Sequence, residues 1–250
     1  MTVSSLHGTT AIVTGASRGF GRATAAALAA KGAHVVGVAR GQAALDELQQ
    51  ELGEAFTSVV ADVADPSLPA QLIARYRPRT MVLNAGAAPQ TAPLSQQTWE
   101  SFSSNWQTDV HHVFHFVRAA LLRPLDPGSS VISLSSGAAV RGSPLSGGYA
   151  GAKATIRFIS SYAASEAERK PLGIRFVSVL PQITPATSLG APFVAAYADL
   201  SGLSQEAYLA QLGPVLSVDH VANSIVDLAT DDEKSALAYL LTATGLRPLD

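Results

Sequence analysis

The stretch Thr14-Gly15-Ala16-Ser17-Arg18-Gly19-Phe20-Gly21 decides the fold. It follows a short apolar, β-branched run at residues 9–14 (TTAIVT), the pattern of a buried strand. It leads into an Ala- and Leu-rich run at residues 21–31, which predicts a helix. Glycines at such a junction let the backbone turn sharply and approach a diphosphate without a Cβ in the way. The helix behind them offers unpaired N–H groups and a positive dipole end. A glycine-rich loop alone is a common surface turn. Placed between a first strand and a first helix, it reads as a phosphate cradle, with Gly15, Ser17, Arg18, Gly19, Phe20 and Gly21 as contacts.

Outward from this loop the pattern repeats. Strands are predicted at residues 33–39, 56–60, 80–83, 131–134, 174–180 and 238–241, and helices at 42–52, 99–122, 149–169 and 218–229. Mostly apolar strands alternating with helices predict an α/β chain with a doubly wound, parallel, seven-stranded sheet of the Rossmann type, helices on both faces. No repeat or linker interrupts the pattern, so residues 1–250 read as one domain. Residues 181–214, rich in Pro, Gly, Ser and Ala, read as a lid over the crevice at the strands' carboxyl ends.

Composition narrows the function. Apolar residues make up 47% and charged residues 14%, which argues against disorder. A net charge of −2 gives no case for a nucleic-acid partner. The absence of cysteine excludes disulfides, thiolate catalysis and cysteine-ligated zinc. The N-terminus lacks a basic and then apolar leader, and no apolar run nears the ~20 residues that span a bilayer. The expectation is a soluble, cytoplasmic protein with no membrane contact. His111 and His115 stand at i, i+4, a zinc-compatible spacing, but no His-Glu-x-x-His arrangement accompanies them. Together with His112 they read as surface or interface histidines, with no metal expected.

Two further features carry chemistry. The second strand ends Val38-Ala39-Arg40, without the acid that accepts from a ribose 2′-hydroxyl in NAD sites. Arg40 and Arg18 suit a 2′-phosphate through forked, charge-assisted hydrogen bonds. This favours NADP(H) over NAD(H). The fifth strand runs into Ser135-Ser136, and Tyr149 and Lys153 follow at i, i+4 on one helix face. An ammonium beside a phenol favours the phenolate. Such a phenol acts as general acid to a carbonyl or base to an alcohol, and a serine hydroxyl hydrogen-bonds the oxygen where charge develops.

Together these motifs resemble the short-chain dehydrogenase/reductase superfamily over nearly the whole chain. Thr14, Gly15, Gly19 and Gly21 match its T-G-x-x-x-G-x-G loop, Asn84-Ala85-Gly86 its Asn-Ala-Gly, and Tyr149 and Lys153 its Tyr-x-x-x-Lys. The resemblance implies that Asp62 and Val63 contact adenine, that Lys153 holds the nicotinamide ribose, and that Ser136 orients the substrate carbonyl. It implies a homodimer or homotetramer built through the helices at 99–122 and 149–169. Three departures stand out. Alignment from Arg118-Ala119-Ala120-Leu121 puts Asp109 where the family has a relay asparagine, with Asn105 as the alternative. The family's Pro-Gly is Pro181-Gln182, where a side chain crowds the nicotinamide, leaving Ile183 for a backbone contact and Thr184 or Thr187 for a hydroxyl. The Gly-rich tail is replaced by Gly245-Leu246-Arg247-Pro248-Leu249-Asp250. The expected function is an NADP(H)-dependent oxidoreductase interconverting a carbonyl and a secondary alcohol. The alternatives are a non-catalytic NADP-binding regulatory protein and dehydratase or epimerase chemistry.

Overall fold

Strands that are apolar on both faces must be covered twice, and the chain does this around one sheet. The computed structural model describes residues 5–249. In chain order the elements are β1 (Thr10–Thr14), α1 (Gly19–Ala30), β2 (His34–Ala39), α2 (Gln42–Leu52), β3 (Phe56–Val60), α3 (Leu68–Tyr76), β4 (Thr80–Leu83), α4 (Trp99–Asn105), α5 (His111–Leu122), β5 (Ser130–Leu134), α6 (Ala138–Arg141) and α7 (Gly147–Arg169). Then follow β6 (Arg175–Pro181), α8 (Gly190–Leu200), α9 (Gln205–Leu212), α10 (Val218–Thr230), β7 (Ala238–Thr242) and β8 (Gly245–Leu249).

The sheet order is β3-β2-β1-β4-β5-β6-β7-β8. Side-chain alternation along each strand divides the core in two. Ala11, Val13, Ile132, Val177 and Val179 face Leu28 of α1, Leu45 of α2 and Ile225 of α10. Ile12, Val131 and Phe176 face Leu72 of α3, Phe116 of α5 and Ile156 of α7.

The structure corrects the predicted sheet. It has eight strands, because the tail forms β8, which pairs antiparallel with β7 from Thr242↔Gly245 to Ala238↔Leu249. Gly245, at φ 117°, supplies the reversal. Pro248 has no N–H to donate, and the edge position tolerates that.

The long helix at 99–122 is also corrected. It is interrupted by a π-helical turn at Trp106–Val110, an irregularity that often marks functional sites. The predicted lid contains α8 and α9 rather than irregular chain. Helix α3 was not predicted; its start, Leu68-Pro69, uses a proline in the first turn.

Candidate active site

The strand order reverses between β1 and β4, on either side of which the chain winds in opposite directions. At such a switch point the crevice beyond the strands' carboxyl ends is the natural ligand site. A cavity of about 520 Å³ lies there, running from Gly15, Arg18 and Arg40 at one end to Ser136, Tyr149 and Lys153 at the other. Ser17, Gly19, Phe20, Asp62, Val63, Asn84, Ala85, Gly86, Asp109, Pro181 and Ile183 also line it. The crevice thus collects residues from the glycine loop, the end of the second strand, Asp62-Val63, Asn84-Ala85-Gly86 and the Ser, Tyr and Lys group; Gly21 packs behind the loop against the Gly15 carbonyl.

The glycine loop is packed too tightly for side chains. Gly15 has φ 68°, and a Cβ there would fall 2.8 Å from Asn84 Nδ2; one on Gly21 would fall 2.1 Å from the Gly15 carbonyl oxygen. Asn84 braces the loop by donating Nδ2 to the carbonyls of Thr14 at 3.0 Å and Gly15 at 3.3 Å. Thr14 Oγ1 accepts from the Asn84 and Ala85 N–H groups at 2.9 and 3.2 Å, tying β1 to the end of β4. Arg22 is engaged with Glu47 and Glu51 of α2. Arg18 and Arg40 are exposed at the crevice, and among the described residues neither forms an ion pair. A glycine cradle flanked by two uncommitted guanidinium groups fits a phosphorylated dinucleotide.

At the other end, Lys153 is buried and doubly anchored. Its Nζ donates to the Leu134 carbonyl at 3.2 Å and lies 3.1 Å from Asp109 Oδ2. Nζ also sits 5.5 Å from the centroid of the Tyr149 ring. Ser135 Oγ donates to the Lys153 carbonyl at 2.7 Å, fixing α7 against the end of β5. That buried serine brace was missed in the sequence, where only Ser136 was singled out. Ser136 Oγ accepts from the Ala138 N–H at 3.2 Å, which orients it at the start of α6.

Asp109 comes from the π-helical turn and is fully buried. Its Oδ1 accepts from the Ala87 N–H at 2.8 Å. The carboxylate fits because residue 86 is glycine: a Cβ there would meet Asp109 Oδ2 at 2.9 Å. Asn105 points elsewhere, donating Nδ2 to the Ala87 carbonyl at 2.9 Å. Of the two candidates for the relay position, Asp109 is therefore the one beside Lys153. Burial opposes the charge on Lys153, but the Asp109 carboxylate and Tyr149 outweigh it and hold the ammonium above its usual range.

The remaining sequence expectations resolve unevenly. Gln182 lines the crevice, and its Nε2 donates to the Leu212 carbonyl at 3.4 Å, linking the end of β6 to the end of α9. Thr184 is committed to the Leu216 carbonyl at 2.6 Å, whereas Thr187 lies across from Gly19. His112 is not a surface residue. It is fully buried against Phe116, and burial, with Lys153 nearby, depresses its pKa to about 3 despite the Ala85 backbone. In the α5 sequence His112 stands beside His111 and His115 as one of several polar positions, which gave no sign of this. His111 and His115 do meet, Nε2 to Nε2 at 3.1 Å. Among the described residues no group of three or more His, Cys, Asp or Glu could hold a metal ion. Nor is any described helix long and apolar enough to cross a membrane.

Comparison with known proteins agrees with this geometry. Residues 9–197 match the short chain dehydrogenase family profile. L-xylulose reductase from Homo sapiens is 29% identical over 243 residues, covering 96% of each chain. The Mesocricetus auratus L-xylulose reductase is 32% identical over 188 residues, 74% of this chain and 75% of that one. A 3-oxoacyl-[acyl-carrier-protein] reductase from Chlamydia trachomatis is 31% identical over 179 residues, 68% of this chain and 72% of that one. In fold, the crystal structure of a 3-ketoacyl-(acyl-carrier-protein) reductase from Brucella melitensis complexed with NADH matches with a TM-score of 0.76 at 23% identity, over 94% of this chain and 98% of that one. With a full crevice, the family's motifs in order and a profile match over most of its length, the chain belongs to the short-chain dehydrogenase/reductase family and is an oxidoreductase of that family.

Proposed function

We propose that the protein is an NADP(H)-dependent oxidoreductase that interconverts a carbonyl and a secondary alcohol. The observation that carries this reading is the continuity of the crevice, which joins two unpaired arginines at one end to Ser136, Tyr149 and Lys153 at the other. Gly15, Ser17, Gly19, Phe20 and Gly21 would hold the diphosphate; Asp62 and Val63, the adenine. Asn84, Ala85 and Gly86 would border the nicotinamide, and Pro181 and Ile183 would hold its carboxamide. The bound nicotinamide supplies or accepts the hydride. Tyr149 gives its phenolic proton to the carbonyl oxygen in reduction and takes it back in oxidation. Ser136 donates to the same oxygen as charge develops. Lys153 keeps one N–H beyond its bonds to Leu134 and Asp109, enough for a ribose hydroxyl. Asp109 holds that ammonium in place.

The test is the change in absorbance at 340 nm with NADPH or NADH across ketones and aldehydes. Tyr149→Phe is expected to lose at least ~100-fold in turnover while still binding cofactor. Arg40→Ala is expected to raise the KM for NADPH but not for NADH. Binding of NADPH without turnover of any carbonyl, with Tyr149→Phe indistinguishable from the parent, sinks the catalytic reading.

The same reading includes a second copy of the chain. Trp99, Phe114, Phe158 and Tyr162, on α4, α5 and α7, are 78, 47, 54 and 66% exposed. Large aromatics gathered on neighbouring helices mark an interface. Light scattering on the purified protein is expected to give a dimer or tetramer, and Phe158→Glu to shift it toward monomer.

A further inference from the structure

The outer half of the crevice has a wall made of rings. Tyr149 faces Phe193 at 6.1 Å between centroids, Phe193 faces Tyr197 at 6.5 Å, and Tyr197 faces Tyr208 at 6.4 Å. Successive planes are tilted by 30°, 26° and 11°, so the rings form a nearly parallel ladder. It leads from the catalytic phenol along α8 to α9, and all four residues line the cavity. The Tyr197 hydroxyl is already engaged: it bonds Ser143 Oγ, which bonds Ser146 Oγ. What this wall offers a substrate is aromatic surface.

Charge in this half is equally selective. The acids lining the cavity are Asp62, at the adenine end, and Asp109, committed to Lys153. Arg141 closes α6, lines the cavity, and forms no ion pair among the described residues. A guanidinium with no carboxylate nearby favours an anion. The bland alternative is a solvated arginine placed at a helix C-terminus, where the dipole welcomes a cation.

We propose that the substrate is an aromatic ketone or aldehyde bearing an acidic group, its ring stacked on the Phe193–Tyr197–Tyr208 ladder and its anion held by Arg141. This rests on the carbonyl-reductase reading above. The carbonyl carbon gains a hydride from the reduced nicotinamide and the oxygen gains the Tyr149 proton. The anionic group takes no part in the chemistry.

The experiment uses acetophenone, 4-acetylbenzoate, 3-(4-acetylphenyl)propanoate and the aliphatic acid 4-oxopentanoate, with NADPH. The better aryl acid is expected to exceed both acetophenone and 4-oxopentanoate in kcat/KM by about tenfold, the scale of one charge-assisted contact. Arg141→Gln should lower the acid-to-neutral ratio about tenfold, whereas Arg123→Gln, the same charge change at the end of α5, should not. Tyr208→Leu should lower the aryl-to-alkyl ratio about threefold or more. Binding of the same compounds to NADPH-loaded protein is followed by calorimetry. Turnover of acetophenone as good as that of the aryl acids, or ratios unchanged in Arg141→Gln, overturns the substrate class and leaves the oxidoreductase reading intact. Arg141-dependent binding of the aryl acids without turnover supports the substrate class and sinks the hydride-transfer reading. Absence of both binding and turnover overturns the substrate class.

Discussion

Removing the Asp109 carboxylate is the perturbation that most directly probes how this site is built. Asp109→Ala leaves the Lys153 ammonium in place, with side-chain exposure of only 6% and one remaining partner, the Leu134 carbonyl. At 3.1 Å the lost attraction is about 5 kcal/mol for an effective dielectric constant of ~20. Breaking a buried pair by deleting one member costs about 3–5 kcal/mol, because the other charge is left uncompensated. The Ala87 N–H also loses its acceptor, at roughly 1 kcal/mol or more. For a chain of this length each kcal/mol moves Tm by about 2–4 °C, so a fall of roughly 8–24 °C is expected at pH 7 from the two losses together. Asp109→Asn keeps an acceptor for Ala87 and should fall less.

The sign with pH follows from Lys153. In the parent its pKa is raised, so the pair persists to a pH above the usual lysine range and its stabilisation is lost only as pH rises through that raised value. In Asp109→Ala burial acts on the amine without the carboxylate, which lowers its pKa. The variant then sheds the proton as pH rises, and the gap from the parent narrows between pH 7 and 10. Calorimetric melts across this range measure it. A Tm within ~2 °C of the parent at pH 7, or a gap that does not change up to pH 10, would refute the buried-pair argument.

Three other outcomes follow from the same neighbourhood. His112, with its pKa held near 3, binds its proton only in the unfolded chain between pH 6.5 and 3. Stability should therefore be intact above pH 6.5 and fall by about 1.4 kcal/mol per pH unit below it, or roughly 2 kcal/mol by pH 5. Urea melts at pH 7.5 and 5 should show this, and His112→Leu should flatten the difference. Gly86→Ala puts a methyl 2.9 Å from Asp109 Oδ2, so it should cost about 1–3 kcal/mol by displacing the carboxylate. In combination with Asp109→Ala most of that cost should vanish, which a double-mutant cycle of melts would detect. Tyr197→Phe removes the hydroxyl link from α8 to Ser143 and should speed limited proteolysis within residues 190–212 severalfold, read by the appearance of nicked chain.

What the sequence made legible was periodicity and contiguous motif. The boundaries of β3, β4 and α2 were read as they stand: Gly41 and Gly53 bracket α2, Arg79 and Asn84 bracket the apolar run of β4, and the run of β3 gives way to Asp62 just beyond its end. The crevice was legible because its residues fall in short motifs at strand ends. Features that depend on contacts distant in sequence were hidden. The antiparallel β8 could not be read, since residues 245–249 carry a proline and make sense as a strand only once β7 is beside them. The burial of His112 depends on α5 turning that position toward Phe116 and Lys153 rather than outward.

The choice between Asn105 and Asp109 shows the same limit most clearly, and it also shows why the π-helical turn matters. Residues one helical turn apart on a regular helix share a face, so sequence spacing left both candidates facing the site. The turn at Trp106–Val110 winds wider than the helices on either side of it. With it in place, Asn105 bonds the Ala87 carbonyl while Asp109 takes the Ala87 N–H and Lys153 together. Both polar groups of residue 87 are thereby held by one irregular stretch, and the loop after β4 is pinned at the point where the carboxylate enters. Gly86 completes the arrangement by leaving room for that carboxylate. An amide at position 109 would still satisfy Ala87, but it would leave the lysine's charge without a counter-ion inside the protein. The site is therefore built around a neutralised lysine. The part of Lys153 still available is a directed N–H rather than an unopposed positive field, so in the proposed mechanism it would position a ribose and phenol more than drive ionisation by charge alone.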